Sequence, residues 1–357
     1  MIIMMSNKLL SLLLLLLLLL SFPLYSNSYQ FNVNNRISLN EYLSSSLSKS
    51  SKTTSSLITS IAKGSIEISN ILRNLPFYNL DVNINNNNNN INASGEEQKK
   101  LDILSNDIMK KILYDNVKYI ISEEDELVTE CNLSSNLIVA IDPLDGSSNI
   151  DCNIPVGTIF GVFLIDDNNN NILDSTNNII ASGYVLYSSS TEFVFTTGDG
   201  THQFTYYPVN ENYYLTKENI IIPKRGIYYS LNEGRSSDWP IELQTYINNI
   251  KIGNGQWKGQ RYSSRYVCSM VADLHRTLLY GGWAANPRSH LRLLYEAKPL
   301  SFLVENAMGK STDGVQRLLD IQAKSYHDRT PLFMGSSEDI DELLTYGDVR
   351  QKRNIKY

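Results

Sequence analysis

Leu137-Ile138-Val139-Ala140-Ile141-Asp142-Pro143-Leu144-Asp145-Gly146-Ser147-Ser148-Asn149 is the stretch on which the reading of this chain turns. The apolar run Leu137–Ile141, stopped by a turn signal, predicts a buried strand. An acidic turn follows directly. Pro143 restrains it, so Asp142 and Asp145 can point at one place while the Leu144 carbonyl between them also faces in. Gly146 lets the backbone approach a ligand, and Ser147 and Ser148 add hydroxyls and N–H donors suited to a phosphate. Taken alone, the run also fits an Asx-rich turn, since Asp, Gly, Ser and Asn all suit turns.

Two more acidic groups follow apolar runs. Ser122-Glu123-Glu124-Asp125-Glu126 comes after Val117–Ser122, and Glu296 after Leu291–Tyr295, which reads as a strand. Singly, the first is a solvated charged turn and the second a surface residue. Together, acidic residues at strand ends mark where an α/β site sits. Gathered carboxylates repel one another, and a bound cation keeps them ionised. All-oxygen ligation suits Mg²⁺ or Mn²⁺. A metal site beside an anion cradle is a recipe for phosphate ester hydrolysis, in which two or more metals about 3.5–4 Å apart clamp the ester.

Outward from this centre, helical spacing predicts helices over 57–72 and 96–114. Short apolar runs at Thr158–Ile165, Ile179–Tyr187 and Glu192–Thr197 join the two strands above in a large sheet. The second half alternates: a helix over Val267–Tyr280, the strand Leu291–Tyr295, and a helix over Pro299–Met308 with Gly309 at its C-cap. The polar stretch Glu211–Pro223 is the expected boundary between an N-terminal subdomain, 38–220, and a C-terminal α/β subdomain, 221–357. The Asn83–Asn92 tract and the run Asn168–Asn171 read as loops.

The chain has 357 residues, 42% of them hydrophobic, enough for a large core. Its formal charge is 31 − 37 = −6, with no basic block, which argues against nucleic-acid binding. The cysteines Cys131, Cys152 and Cys268 cannot make a disulfide framework, and there is no CxxC spacing for zinc. None of His202, His275, His290 and His327 is paired at a ligand spacing, and His275 reads as a hydrogen-bonded structural residue of a helix. Leu9–Leu20, behind Lys8, is too short for a stable bilayer span, which needs about 20 apolar residues. With its basic flank and polar exit it reads as a signal peptide over 1–26, the alternative being an uncleaved anchor.

The motifs then fall into a known order. Gly95-Glu96-Glu97-Gln98-Lys99-Lys100-Leu101-Asp102, Ser122-Glu123-Glu124-Asp125 and Asp142 through Asp151 resemble class I fructose-1,6-bisphosphatase. So do Gly157-Thr158-Ile159-Phe160-Gly161, Leu231-Asn232-Glu233-Gly234, Arg265-Tyr266, Ser269-Met270-Val271-Ala272-Asp273 and Leu291-Arg292-Leu293-Leu294-Tyr295-Glu296. The resemblance implies an αβαβα layered sandwich, a homotetramer, and Mg²⁺-dependent removal of the 1-phosphate of fructose 1,6-bisphosphate. It implies Glu96, Glu123, Asp142, Asp145, Glu296 and the Leu144 carbonyl as metal ligands. Asp102 and Glu124 position and deprotonate the attacking water. Gly146, Ser147 and Ser148 hold the 1-phosphate. Asn232 and Tyr266 hold the 6-phosphate, with Arg265 reaching in from a neighbouring subunit and Met270 contacting the sugar. Arg235, His290 and Arg292 complete the substrate set.

Three departures touch the substrate end. Arg235 stands where the family commonly has a phosphate-binding Tyr, and His290 where it usually has Lys. The segment Trp283–Ser289 is shorter than the animal and plant pattern and loses a Tyr. Asp166–Ile179 carries no Cys, so a redox switch of the plant plastid kind is not expected. Competing readings are sedoheptulose-1,7-bisphosphatase, whose pattern lacks Ser148 through Cys152 and Asp273 through Arg276, and a catalytically dead binding or scaffold protein of the same fold. The signal peptide, with 27–37 as a transit segment, suggests a plastid reached by the secretory route. The alternative is the cytoplasm.

Overall fold

The structure, a computed structural model, describes residues 36–46, 52–77, 100–165 and 171–352. Glu96, the leader, most of the transit segment, the Asn83–Asn92 tract and Asn168–Asn170 lie outside the described residues. The first layer is helical. A capping box opens α1 (Leu39–Ser46): the Ser38 N–H donates to Glu41 Oε2 at 2.8 Å, and the Glu41 N–H to Ser38 Oγ at 3.3 Å. Helix α2 (Lys52–Arg73) turns Leu57, Ile58, Ile61 and Ile68 inward. Helix α3 (Lys100–Leu113) does the same with Leu101, Ile108, Met109 and Leu113, and also buries Asp102 and Asn106.

These helices cover an eight-stranded sheet ordered β2-β1-β3-β4-β5-β6-β7-β8. Its strands are β1 (Tyr119–Ser122), β2 (Thr129–Glu130), β3 (Leu137–Asp145), β4 (Val156–Leu164), β5 (Ile179–Tyr187), β6 (Thr191–Thr196), β7 (Thr201–Tyr207) and β8 (Asn212–Lys217), with the one-turn helix α4 (Ile172–Ser175) between β4 and β5. Every residue of β3 is buried, as a central strand covered on both faces requires. β1 and β3 run parallel, and β3 through β8 are antiparallel neighbours.

A second helical layer packs on the other face. Val271, Leu274 and Leu278 of α6 (Met270–Tyr280), with Leu300, Leu303 and Val304 of α7 (Lys298–Asn306), share a core with Ile159 and Tyr184 of the first sheet and Leu332 and Met334 of the second. The second sheet is ordered β10-β9-β11-β13-β12. Its strands are β9 (Tyr228–Ser230), β10 (Ser263–Ser264), β11 (Trp283–Arg292), β12 (Lys310–Thr312) and β13 (Arg329–Gly335). On its far face α5 (Ile241–Ile252) and α8 (Ser337–Leu344) bury Leu243, Tyr246, Ile340 and Leu343 against Tyr229, Trp283 and Phe333. Helix, sheet, helix, sheet, helix: the layered α/β sandwich is realised.

The local readings differ from expectation in three places. The polar stretch after Glu211 contains β8, an edge strand whose solvent side is polar while Tyr213 is buried. The apolar run Leu291–Tyr295 is not one strand: β11 ends at Arg292, and Leu293–Ala297 forms a π-helical turn into α7. Gly309 is not the left-handed cap of α7. Met308 takes that conformation, at φ 64°, while the Gly309 N–H closes the turn on the Val304 carbonyl at 2.9 Å. A Cβ on Gly309 would sit 2.6 Å from the Gly335 carbonyl oxygen, so close approach selects the glycine.

Candidate active site

The end of β3 is distorted in a way that brings two carboxylates together. Asp142 pairs with Ile159 of β4, but Asp145 pairs with Gly157, so three steps on one strand oppose two on the other. That is a β-bulge. In a regular strand, positions three apart face opposite sides. The extra residue turns Asp142 and Asp145 to the same side. Pro143 sits in the bulge, where its missing N–H costs no ladder bond. The turn is held by the Leu144 N–H on Asp142 Oδ1 at 3.0 Å and by Thr158 Oγ1 on the Pro143 carbonyl at 2.8 Å. Gly146 follows in the left-handed conformation, at φ 76°, and leads into the short helix Ser147–Cys152.

Glu296 arrives from the π-turn. The Arg292 N–H donates to its Oε2 at 2.6 Å, which fixes the carboxylate against the turn. Asp142, Asp145 and Glu296 each offer an oxygen within 4.8 Å of the others. Glu123 joins them from the turn after β1. Its Oε1 lies 2.7 Å from Arg292 Nη2, and Arg292 Nη1 is 3.8 Å from Glu296. Sequence reasoning set Arg292 among the substrate residues. It lines the cavity, but its guanidinium lies on the carboxylates.

All four carboxylates are buried. Burial raises Asp142 far above the usual carboxylate range, and the neighbouring Glu123, Asp145 and Glu296 add to it. Asp145 is pushed up to about 7, burial outweighing the N–H of Val271. Glu296 is raised by burial and by Glu123. Four acids share one guanidinium among the described residues. Such a set demands more positive charge, and its donors, hard carboxylate oxygens, fit a divalent cation of the Mg²⁺ class.

The cluster opens into a cavity of about 690 Å³. Asp102 and Glu124 face it from α3 and from the turn after β1; Leu144, Gly146, Ser147 and Ser148 line it beside Asp145. Asn232 and Arg235, Tyr266 and Met270, and His290 line the remainder. Arg265 does not. Its Nη1 donates to Ser263 Oγ and the Ser264 carbonyl at 2.6 and 2.8 Å, and its guanidinium lies over the Tyr228 ring. Glu96 lies outside the described residues.

The cavity also has walls that the sequence reading missed: Trp239, Asp273, Asn286, Arg288 and Gln351. Asp273 sat within a recognised motif. Its carboxylate takes the Val267 N–H at 3.2 Å and so fixes the segment that carries Tyr266. Gln351 had no local signal; it reaches the site because its N–H docks on the Pro287 carbonyl at 2.9 Å. His275 is structural, as expected: Nδ1 meets the Tyr184 hydroxyl at 2.7 Å.

Comparison with known proteins agrees with this geometry. The family model for the N-terminal domain of fructose-1,6-bisphosphatase matches residues 41–218, and that for its C-terminal domain matches 222–348. Chloroplastic fructose-1,6-bisphosphatase 1 of Arabidopsis thaliana is 42% identical over 281 residues, covering 71% of this chain and 67% of that one. The cytosolic enzyme of Beta vulgaris is 43% identical over 272 residues, covering 72% and 79%. The crystal structure of Leishmania major fructose-1,6-bisphosphatase in holo form superposes with a TM-score of 0.79 at 34% identity, over 88% of this chain and 99% of that one. With both domain models matched in order and relatives of this similarity across most of its length, the chain belongs to the fructose-1,6-bisphosphatase family.

Proposed function

We propose that this cavity hydrolyses the 1-phosphate of fructose 1,6-bisphosphate to fructose 6-phosphate and phosphate, with Mg²⁺ or Mn²⁺ held by Glu123, Asp142, Asp145, Glu296 and the Leu144 carbonyl. Glu96 adds a ligand by the resemblance. The observation that carries the reading is the convergence of three buried carboxylates, from β3 and the π-turn, within 4.8 Å of one another on the wall of the cavity. Held by these residues, divalent cations would neutralise the carboxylates and the ester and would lower the pKa of water. The chain's own groups do the rest. Glu124 and Asp102 hold the attacking water and take its proton. As the water oxygen bonds to phosphorus, the bond from phosphorus to the sugar oxygen breaks, and that oxygen leaves as the alcohol with a proton drawn from solvent water. Gly146, Ser147 and Ser148 hold the transferring phosphate. Asn232, Tyr266, Arg235 and His290 hold the distal one, and Met270 packs on the sugar. Arg265 points away from this chain's cavity, which suits a residue lent to a neighbour in a homotetramer; light scattering on Arg265→Ala and the parent chain tests the assembly.

The test of function is phosphate release from fructose 1,6-bisphosphate and sedoheptulose 1,7-bisphosphate, each with and without Mg²⁺. The reading requires Mg²⁺-dependent release with a higher kcat/KM for the fructose ester. Preference for the seven-carbon ester, or no release from either, replaces it with the sedoheptulose or the scaffold reading. For location we infer delivery to a plastid by the secretory route, supported by the Leu9–Leu20 run. Both chloroplastic and cytosolic relatives exist. Imaging of the tagged full-length chain decides, and diffuse cytoplasmic signal overturns it.

A further inference from the structure

His327, which the catalytic reading leaves unused, touches both turns that deliver glutamates to the site. The turn after β1 carries Glu123 and Glu124. The π-turn after β11 carries Glu296. They come from opposite halves of the sequence, yet the segment leading into β13 contacts each. His327 Nε2 lies 3.3 Å from the main-chain carbonyl of Glu126, and its Nδ1 lies 3.1 Å from the hydroxyl of Tyr295, the residue beside Glu296. One neutral tautomer satisfies both: Nε2–H donates to the carbonyl, and Nδ1 accepts from the hydroxyl. The tie is stiff at its base. The Leu293 N–H donates to the Asp328 carbonyl at 2.7 Å, and the Asp328 carboxylate accepts from Ser325 Oγ at 2.7 Å and from the Lys324 N–H. The acidic turn is also held from its other side, by Lys110 and Asn106 of α3 on Asp125 at 2.6 and 3.0 Å.

We propose that His327 is a positioning residue that sets the spacing between Glu123 and Glu296 for a divalent cation. Without it the acidic turn and the π-turn lose this hydrogen-bonded tie and are joined by the Arg292–Glu123 ion pair and the packing of Leu294 and Tyr295 on Ile121 and Ile138. The cation ligands would then hold their separation less well, while the layered core is untouched. The inference rests on the metal reading above. Outer groups that orient metal ligands are typically worth about 10–100-fold in metal affinity.

The experiment is calorimetric titration of Mn²⁺ into the full chain without substrate. It compares the parent, His327→Ala, Tyr295→Phe, the double variant, His327→Gln and Asp145→Asn. His327→Ala should weaken Mn²⁺ binding by about 10–100-fold. Tyr295→Phe should lose part of that, the double variant no more than His327→Ala alone, and His327→Gln, which keeps a donor for the Glu126 carbonyl, should recover part. Unchanged affinity in His327→Ala while Asp145→Asn loses it overturns the positioning role and leaves the metal reading standing. Additive losses in the double variant, or a metal-free His327→Ala chain that is unfolded at 25 °C, also overturn it. Normal Mn²⁺ binding by Asp145→Asn overturns the metal reading itself, and this inference with it.

Discussion

Two groups of buried acids in this chain are built to opposite rules. On α8, Asp339 and Glu342 are almost wholly buried, and Glu338 lies at the rim. Arg225 spans all three, at 3.0 Å from Glu338, 3.3 Å from Asp339 and 2.6 Å from Glu342. The remaining oxygens have donors too: Tyr262 Oη and the Gly226 N–H on Asp339, and the Gln256 N–H on Glu342. At the end of β3, four acids meet one guanidinium among the described residues, crowd one another and border a cavity. The first group is a closed network whose demand for positive charge and donors is met within the chain. In the second, among the described residues, the acids outnumber the guanidinium beside them, on the wall of a space that admits ligands. The difference separates an acid cluster that ties a fold together from one whose chemistry suits a divalent cation.

Asparagine at Asp145 makes the hardest test of that contrast. Asp145→Asn should cut phosphate release by at least about a thousandfold across a Mg²⁺ titration, since outer-shell partners alone are worth about 10–100-fold. The metal-free variant should melt no lower than the parent, because a repelling buried charge has gone. At the closed network the outcome reverses. Arg225→Leu should cost about 3–5 kcal/mol in denaturant unfolding, because it strands buried carboxylates, while kcat per folded molecule stays near the parent's. A stable Arg225→Leu, or an active Asp145→Asn, breaks the contrast.

A third buried titratable group sharpens it. His275, in α6, is held down to about 4 by burial, with Lys217 adding to the effect. Its folded pKa lies below the unfolded value of about 6.5, so the unfolded chain binds the proton more readily. Stability is therefore undiminished above about pH 6.5 and falls as the pH drops toward about 4, by roughly 2–3 kcal/mol. Urea unfolding at the two ends of this window should show a loss of unfolding free energy in the metal-free parent that exceeds the loss in His275→Gln by that amount; equal pH dependence would show that the imidazole does not titrate in this way. The smallest effect should come from a dithiol reductant. Cys131, Cys152 and Cys268 are all free, and Cys131 is buried. Activity should change by no more than about twofold. Severalfold activation would show a redox switch at one of the thiols.

The sequence made the Asp142–Ser148 turn readable because carboxylates, Pro, Gly and hydroxyls fall in one short run. The layered fold was readable through the family resemblance and the periodicity of α2, α3, α6 and α7. What escaped has physical reasons. Apolar periodicity cannot separate a strand from a short buried turn, so the π-turn carrying Glu296 read as strand. β7 and β8 were missed because the outer strands of the sheet mix polar with apolar residues. The bulge at Pro143 depends on register with β4, which no local pattern reports. Arg225 and its partners on α8 are more than a hundred residues apart, as are His327 and Glu126. The sequence placed Arg292 on the substrate, but its pairing with Glu123 exists only once the ends of β1 and β11, from different sheets, meet at the site.

The most direct measurement is a melting experiment on the metal-free chain, with Mn²⁺ added stepwise, for the parent, Asp145→Asn and Arg225→Leu. A ligand at a hundred times its Kd stabilises the folded state by about 2.7 kcal/mol. The account predicts that the parent and Arg225→Leu gain the same increment, from different starting points, and that Asp145→Asn gains none. An equal gain in Asp145→Asn, or no gain in the parent, would contradict it.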